Sequence, residues 1–229
     1  MDAEASKRLA ARAALDHLPP SGVIGLGTGS TVRYFIEGLA ERVRAGASYQ
    51  GVPTSEWSRK LASDLGIALL DDAGPWQIEL CVDGADEVSD NLDLIKGGGG
   101  AHTREKLVNF AARRNVIVVD GSKCSHRLGE RWAVPVEVLR FAHETTKARL
   151  TAFGTPKLRL TSAGSPLITD SGNYVYDVKT GPIANPFQLD SQLRFIPGVV
   201  ETGLFCGRAD IVIVADGDKI ATRTKNASG

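Results

Sequence analysis

The chain has 229 residues, 42% hydrophobic and 24% charged, which suits one large or two modest domains and excludes a disordered polymer. Its 27 basic and 27 acidic side chains cancel, so the basic excess of a nucleic-acid binder is missing. No apolar run approaches the roughly 20 residues of a membrane span, and the N-terminal Met-Asp-Ala-Glu-Ala-Ser-Lys-Arg lacks the apolar core of a secretory signal.

Residues 3–18 read as an Ala- and Leu-rich helix ended by Pro19-Pro20. Val23–Leu26 is a short buried strand running into Gly27-Thr28-Gly29-Ser30-Thr31. Val32, Phe35, Ile36, Leu39 and Val43 then make one apolar helical face. Trp57, Leu61 and Leu65 mark another helix, stopped by Gly66. Ile78–Asp83 is a strand, and Leu107, Phe110 and Ala111 outline a helix after a glycine run. Val116–Asp120 and Ile211–Val214 are further strands. This alternation predicts an α/β, Rossmann-like parallel sheet covered on both faces.

The texture changes between residues 129 and 204. Val134–Val138 reads as a strand, His143–Phe153 as a helix, and 157–161, 166–169 and 173–178 as short strands with turns at 170–173 and 180–182. A smaller inserted α+β, ferredoxin-like domain is predicted over 129–204, with 1–128 and 205–229 forming the parallel-sheet domain.

Cys81, Cys124 and Cys206 are odd in number and widely spaced, which fits a reducing cytoplasm better than a disulfide framework. The histidines His17, His102, His126 and His143 match no metal-ligand spacing, so no protein-held metal is expected.

Chemistry concentrates where turns follow strands, the usual ligand edge of a parallel sheet. Gly25 to Thr31 lacks both the third glycine of a dinucleotide fingerprint and the Gly-Lys-Ser/Thr of a Walker loop. It is either an anion site at a helix start or a tight turn capped by Ser or Thr. Asp83-Gly84-Ala85-Asp86-Glu87 puts three carboxylates in five residues, for proton transfer or as a solvated acidic turn. Lys96 followed by Gly97 to Gly100 offers backbone amides to a ligand, or is a linker. The flanking Leu94-Ile95 and the helix starting near Thr103 speak against a linker. Glu105 and Lys106 lie in that helix's first turn. Anion cradle, carboxylates, lysine and amides together equip proton abstraction beside a carbonyl on a phosphorylated substrate.

At these residues the chain resembles the ribose-5-phosphate isomerase A family. The resemblance also runs through Asp120 to Lys123, Pro135 to Val138, Asp170 to Asn173 and Ile196 to Phe205, in order over nearly the whole chain. It implies interconversion of D-ribose 5-phosphate and D-ribulose 5-phosphate through an enediolate, with no cofactor and no metal. It implies Glu105 as proton-shuttling base, Asp83 and Asp86 as acids beside the sugar, and Lys96 with Gly97, Gly98 and Gly99 as enediolate stabilisers. Thr28, Gly29, Ser30 and Thr31 match the first substrate turn, Gly84 and Ala85 lie within the acidic motif, and Lys123 and Lys7 match basic phosphate contacts. The implied partners are a small sugar phosphate and further copies of the chain, as a homodimer or homotetramer through 129–204. No nucleic acid or membrane is expected.

His102 departs from the family pattern, where a small or aliphatic residue is expected, and Val52 to Ser58 forms a variable loop. Rival readings are an amino-sugar phosphate deaminase, a phosphogluconolactonase, or a non-catalytic sugar-phosphate sensor. The acidic motif joined to the Lys96–Lys106 block favours the isomerase. A sensor would need a DNA-binding module ahead of the turn at Gly25, and it has no use for Glu105.

Overall fold

The computed structural model describes residues 3–225; the expected domain limits at 1 and 229 lie outside them. In chain order the elements are α1 (Ala3–Leu15), β1 (Gly22–Leu26), α2 (Ser30–Arg44), β2 (Tyr49–Pro53), α3 (Glu56–Asp64), β3 (Ala68–Leu69) and β4 (Ile78–Asp83). Then come β5 (Glu87–Val88), β6 (Leu94–Ile95), α4 (His102–Ala111), β7 (Asn115–Asp120), a 3-10 turn (Gly121–Lys123) and β8 (Val134–Val138). The remainder is α5 (His143–Leu150), β9 (Thr155–Leu158), β10 (Tyr174–Lys179), α6 (Pro186–Arg194), β11 (Val199–Thr202), β12 (Leu204–Phe205), β13 (Ile211–Asp216) and β14 (Lys219–Thr224).

Two compact units emerge. The described residues of Met1–Ala85, Arg104–Lys123 and Arg208–Gly229 form the first, and Asp86–Thr103 with Cys124–Gly207 the second. The expected 129–204 insert is narrower than this second unit. The reason is pairing: β5 and β6 form a three-stranded sheet with β12, and Ile95 shares a core with Leu128, Val134 and Leu204.

The first unit is a seven-stranded sheet in the order β14-β13-β7-β4-β1-β2-β3. All neighbours are parallel except β13 and β14. The antiparallel edge strand β14 is exposed along its whole length, so it carries no apolar alternation to betray it in sequence. Alternating residues along β1 and β4 supply both faces. Ile24, Leu26, Leu80 and Val82 join α1 and α2 in one core, while Cys81 packs with Val108 of α4 in another. A Cβ on Gly25 would lie 2.8 Å from Val108, so its missing side chain admits α4. α1 stops short of residue 18, where its last amides bond three residues back in a tighter turn before Pro19.

α4 forms the expected helix, but Leu107 and Phe110 do not face the core. Leu107 and Phe110 are 62% and 59% exposed, and the Arg208 guanidinium lies 4.2 Å over the Phe110 ring. The buried side is Glu105, Val108, Asn109 and Ala112, at helical spacing but half polar.

The second unit contains the run β8-α5-β9-β10-α6-β11, with sheet order β11-β8-β10-β9 and every pair antiparallel. That is the ferredoxin-like pattern. The strand expected at 166–169 is replaced by an isolated bridge between Leu160 and Pro166, and α5 ends at Leu150 rather than 153. α6 was missed although its start is well signalled. Asn185 accepts from the Gln188 amide at 3.0 Å and Pro186 opens the first turn.

Tyr176 lies fully buried in this unit, its hydroxyl 2.7 Å from His143 Nδ1 and 3.3 Å from Glu144 Oε1. Burial pushes its phenol up to about 12, with the Glu144 charge adding to the effect. A raised native value means the fold holds the proton more tightly than the unfolded chain does. The stability this phenol contributes is therefore full below pH ~10 and is lost as pH rises from ~10 towards ~12. Denaturant unfolding across that window should show the decline, and Tyr176→Phe should flatten it.

Candidate active site

In the first unit, β1 runs into Gly27-Thr28-Gly29 and α2 begins at Ser30. The N-cap is Gly29, at φ 124°, with no side-chain cap bond, so the capped-turn alternative with Ser or Thr does not apply. The first-turn amides of α2 thus meet the positive end of the helix dipole without a side-chain acceptor from the cap. Ser30 is exposed and Thr31 half-buried.

Asp83 ends β4 and is 1% exposed. Its Oδ1 accepts from the Thr28 amide at 3.1 Å and from the Gly84 amide at 2.7 Å. The Thr28 hydroxyl donates to Ser55 at 2.7 Å and lies 2.8 Å from the Thr54 hydroxyl. Thr28 therefore shapes the turn with both polar groups engaged by protein. Ser55 also caps α3, accepting from the Ser58 amide, so the segment read as a variable loop is the end of β2 and the start of α3 and is tied to the Thr28 turn.

Glu105 lies in the first turn of α4 and is 4% exposed. Its neighbour Arg104 donates to Glu56 at 2.7 Å, tying α4 to α3. Lys123 closes the turn after β7, where Asp120 accepts from the Ser122 amide at 2.9 Å. Lys7 pairs with Glu4 at 2.7 Å on α1. That hydrogen bond holds its ammonium above the ordinary lysine range, with Asp120 a smaller contributor.

In the second unit, Asp86 Oδ2 accepts from the Gly98 amide at 2.6 Å, and the Asp86 amide donates to Ile95. The Gly98 amide is thus committed to Asp86. Lys96 follows β6, is 2% exposed, and holds its ammonium 5.6 Å over the Phe205 ring. Gly97 takes φ 106°, and a Cβ there would lie 2.6 Å from His102 Nδ1. The fully buried His102 packs where a side chain on Gly97 would stand, so Gly97 must lack one.

Glu87 separates from its acidic neighbours in role. Fully buried, it accepts from the amides of Gly129, Arg131 and Trp132 at 2.8, 3.0 and 3.3 Å and anchors that loop. Sequence reasoning assigned no role to Glu137 or Arg159. Glu137, 1% exposed, accepts from Thr103 at 2.5 Å, Thr169 at 2.8 Å and Asn173 at 2.9 Å, fixing the start of α4. Its signal was a charge inside the apolar run Val134–Val138, whose five residues are all buried. Arg159 donates to the Gly97 and Gly98 carbonyls and to Asp177.

Residues 50–219 match the family model described as ribose 5-phosphate isomerase A (phosphoriboisomerase A). This chain belongs to the ribose 5-phosphate isomerase A family. The Gloeobacter violaceus ribose-5-phosphate isomerase A is 43% identical over 229 residues, covering 100% of both chains. The ribose 5-phosphate isomerase A structure from Methanocaldococcus jannaschii shares 37% identity at TM-score 0.92, covering 98% of this chain and 100% of that one. A D-ribose-5-phosphate isomerase structure in complex with phospho-erythronic acid shares 38% identity at TM-score 0.94, with the same coverage. Among the described residues no helix is long and apolar enough to cross a membrane.

Gly27 is the tightest point of the isomerase turn. A Cβ there would lie 2.2 Å from Asp83 Oδ1 and 2.7 Å from Asp83 Cα, so the strands themselves would have to part. Gly27→Ala should cost about 1–3 kcal/mol in denaturant unfolding. Turnover should fall with it, because Asp83 and Thr28 move together.

Proposed function

We propose that this chain interconverts D-ribose 5-phosphate and D-ribulose 5-phosphate through a cis-enediolate, with Glu105 as the proton-shuttling base. The observation that carries this reading is Glu105 itself, a buried carboxylate in the first turn of α4 within the family's motif. Family membership supports the substrate, and the relatives carry that activity in their names.

The sugar enters mainly as a closed ring. Asp83 or Asp86 moves a proton between the ring oxygen and the anomeric hydroxyl to open it. Glu105 takes the proton from C2, the C2–H electron pair becomes the C1–C2 double bond, and the C1 carbonyl electrons move to O1. The O2 proton passes to O1 and Glu105 returns its proton to C1, leaving a ketone at C2. Atoms and electrons balance without a redox partner. A positioned base of this kind contributes about 10²–10⁴-fold.

Charge on the enediolate oxygen needs donors in place before it forms. Lys96 and the amides of the glycine run serve here, the Gly98 amide indirectly through Asp86. The phosphate is held at the start of α2 by Ser30 and Thr31, with Lys123 and Lys7 as cations. Phospho-erythronic acid, the ligand of the related structure, pairs a phosphate with a carboxylate. We read it as a mimic of the phosphorylated enediolate for this chain too.

We also place the enzyme in the cytoplasm, in keeping with an odd number of widely spaced cysteines. A homodimer or homotetramer through the second unit is supported by Phe141, Phe187 and Phe195, which are 88%, 66% and 91% exposed.

Ketose formation from D-ribose 5-phosphate, followed with EDTA present, tests the reading. Glu105→Gln should lower kcat by about 10²–10⁴-fold with KM within about threefold; turnover within tenfold of wild type would remove Glu105 as base. Lys123→Ala should instead raise KM about tenfold or more, in line with ~1.5–3 kcal/mol for a charged hydrogen bond, and spare kcat. An unchanged KM would exclude Lys123 from the phosphate.

A further inference from the structure

We propose that Arg159, held by Asp177, is a positioning residue for the isomerisation, and that it does its work by aiming the Gly99 amide at the enediolate oxygen. This rests on the reading of the glycine run as the enediolate's donors.

Arg159 lies just beyond β9, its side chain 13% exposed. Nε donates to Asp177 Oδ2 at 3.0 Å and Nη2 to Asp177 Oδ1, a bidentate pair that fixes the guanidinium plane. The remaining edge faces the glycine run. Nη1 donates to the Gly97 carbonyl at 2.6 Å and to the Gly98 carbonyl at 3.1 Å.

Two peptide planes are set by these contacts. The Gly97–Gly98 peptide is gripped at both ends, its carbonyl by Arg159 and its N–H by Asp86. The Gly98–Gly99 peptide is gripped at its carbonyl alone. A trans peptide points its N–H opposite its carbonyl, so fixing the Gly98 carbonyl fixes the direction of the Gly99 N–H, away from Arg159. Gly99 is exposed, and a Cβ there would meet nothing within 4 Å. The Gly99 N–H, on an exposed glycine, is thus oriented through the carbonyl that Arg159 holds.

The energetic reason follows from composition. Four consecutive glycines are the costliest backbone to order. A donor that must be ordered during the reaction loses part of its benefit. One that is held beforehand does not. A lysine cannot replace the arginine, because a point charge cannot grip a carboxylate and two carbonyls in one plane.

The test compares wild type, Arg159→Ala, Arg159→Lys and Asp177→Asn as full-length folded enzymes, checked by thermal melting. Both Arg159 variants should lose about 10–100-fold in kcat with KM within threefold, somewhat below the roughly 10²–10³ of a deleted donor. Millimolar guanidinium ion should restore part of the kcat of Arg159→Ala, whereas ammonium ion should not. Asp177→Asn, which keeps the arginine but loosens its plane, should lose several-fold in kcat. That variant carries the test if an Arg159 variant fails to fold. Folded variants with kcat within threefold of wild type, or with losses that appear mainly in KM, would overturn the role of Arg159. A wild type that forms no ketose would overturn the isomerase reading instead.

Discussion

The first unit depends on one close approach, that of Gly27 to Asp83. Parallel pairing sets Leu26 beside Val82, and the Gly27 amide donates to the Val82 carbonyl at 3.0 Å. This brings the end of β4 against the turn after β1. Only a residue without Cβ fits there, and the Asp83 carboxylate then reaches the Thr28 amide. Gly29 follows at positive φ, a conformation open to glycine at little cost, and α2 starts with uncapped amides. An uncapped helix start, a buried carboxylate and a hydroxyl cluster therefore share one backbone contact. The two glycines differ in purpose, one for distance and the other for dihedral angle.

The parallel strands were legible because a doubly covered sheet needs apolar residues on both faces, and Ile78–Asp83 and Val116–Asp120 read as near-continuous buried runs. The buried face of α4 was not legible for the opposite reason. Apolar periodicity assumes that what faces inward is apolar, whereas this helix turns Glu105, Lys106 and Asn109 inward with Val108. Leu107 and Phe110, the residues that outlined the helix in sequence, lie outside. Local rules fail where polar groups take over the inward helix face, and such a face is where a functional site is sought first.

The candidate site residues were legible because they lie in short motifs beside strand ends. Their supports were not. Glu87, Glu137 and Arg159 act on backbone or side chains far along the chain, and no local spacing encodes such partners. Glu87 and Asp86 are adjacent in sequence, yet one anchors residues 129–132 while the other holds the glycine run. A buried carboxylate is stable only when its oxygens are fully engaged. Three backbone amides satisfy Glu87, and two hydroxyls with a side-chain amide satisfy Glu137.

These supports explain how a glycine-rich sequence can hold a defined geometry. Glycine permits close approach and positive φ but supplies no side chain to fix the result. In both units the fixing comes from charged groups bound to main-chain atoms. Asp83 binds the amides of Thr28 and Gly84, Asp86 the amide of Gly98, and Arg159 the carbonyls of Gly97 and Gly98. Charge-assisted bonds to backbone are stronger than neutral ones and have one geometry for each peptide plane. The direction of each held peptide is then settled when the chain folds. On the proposed mechanism this spares the reorganisation that water would demand as enediolate charge develops.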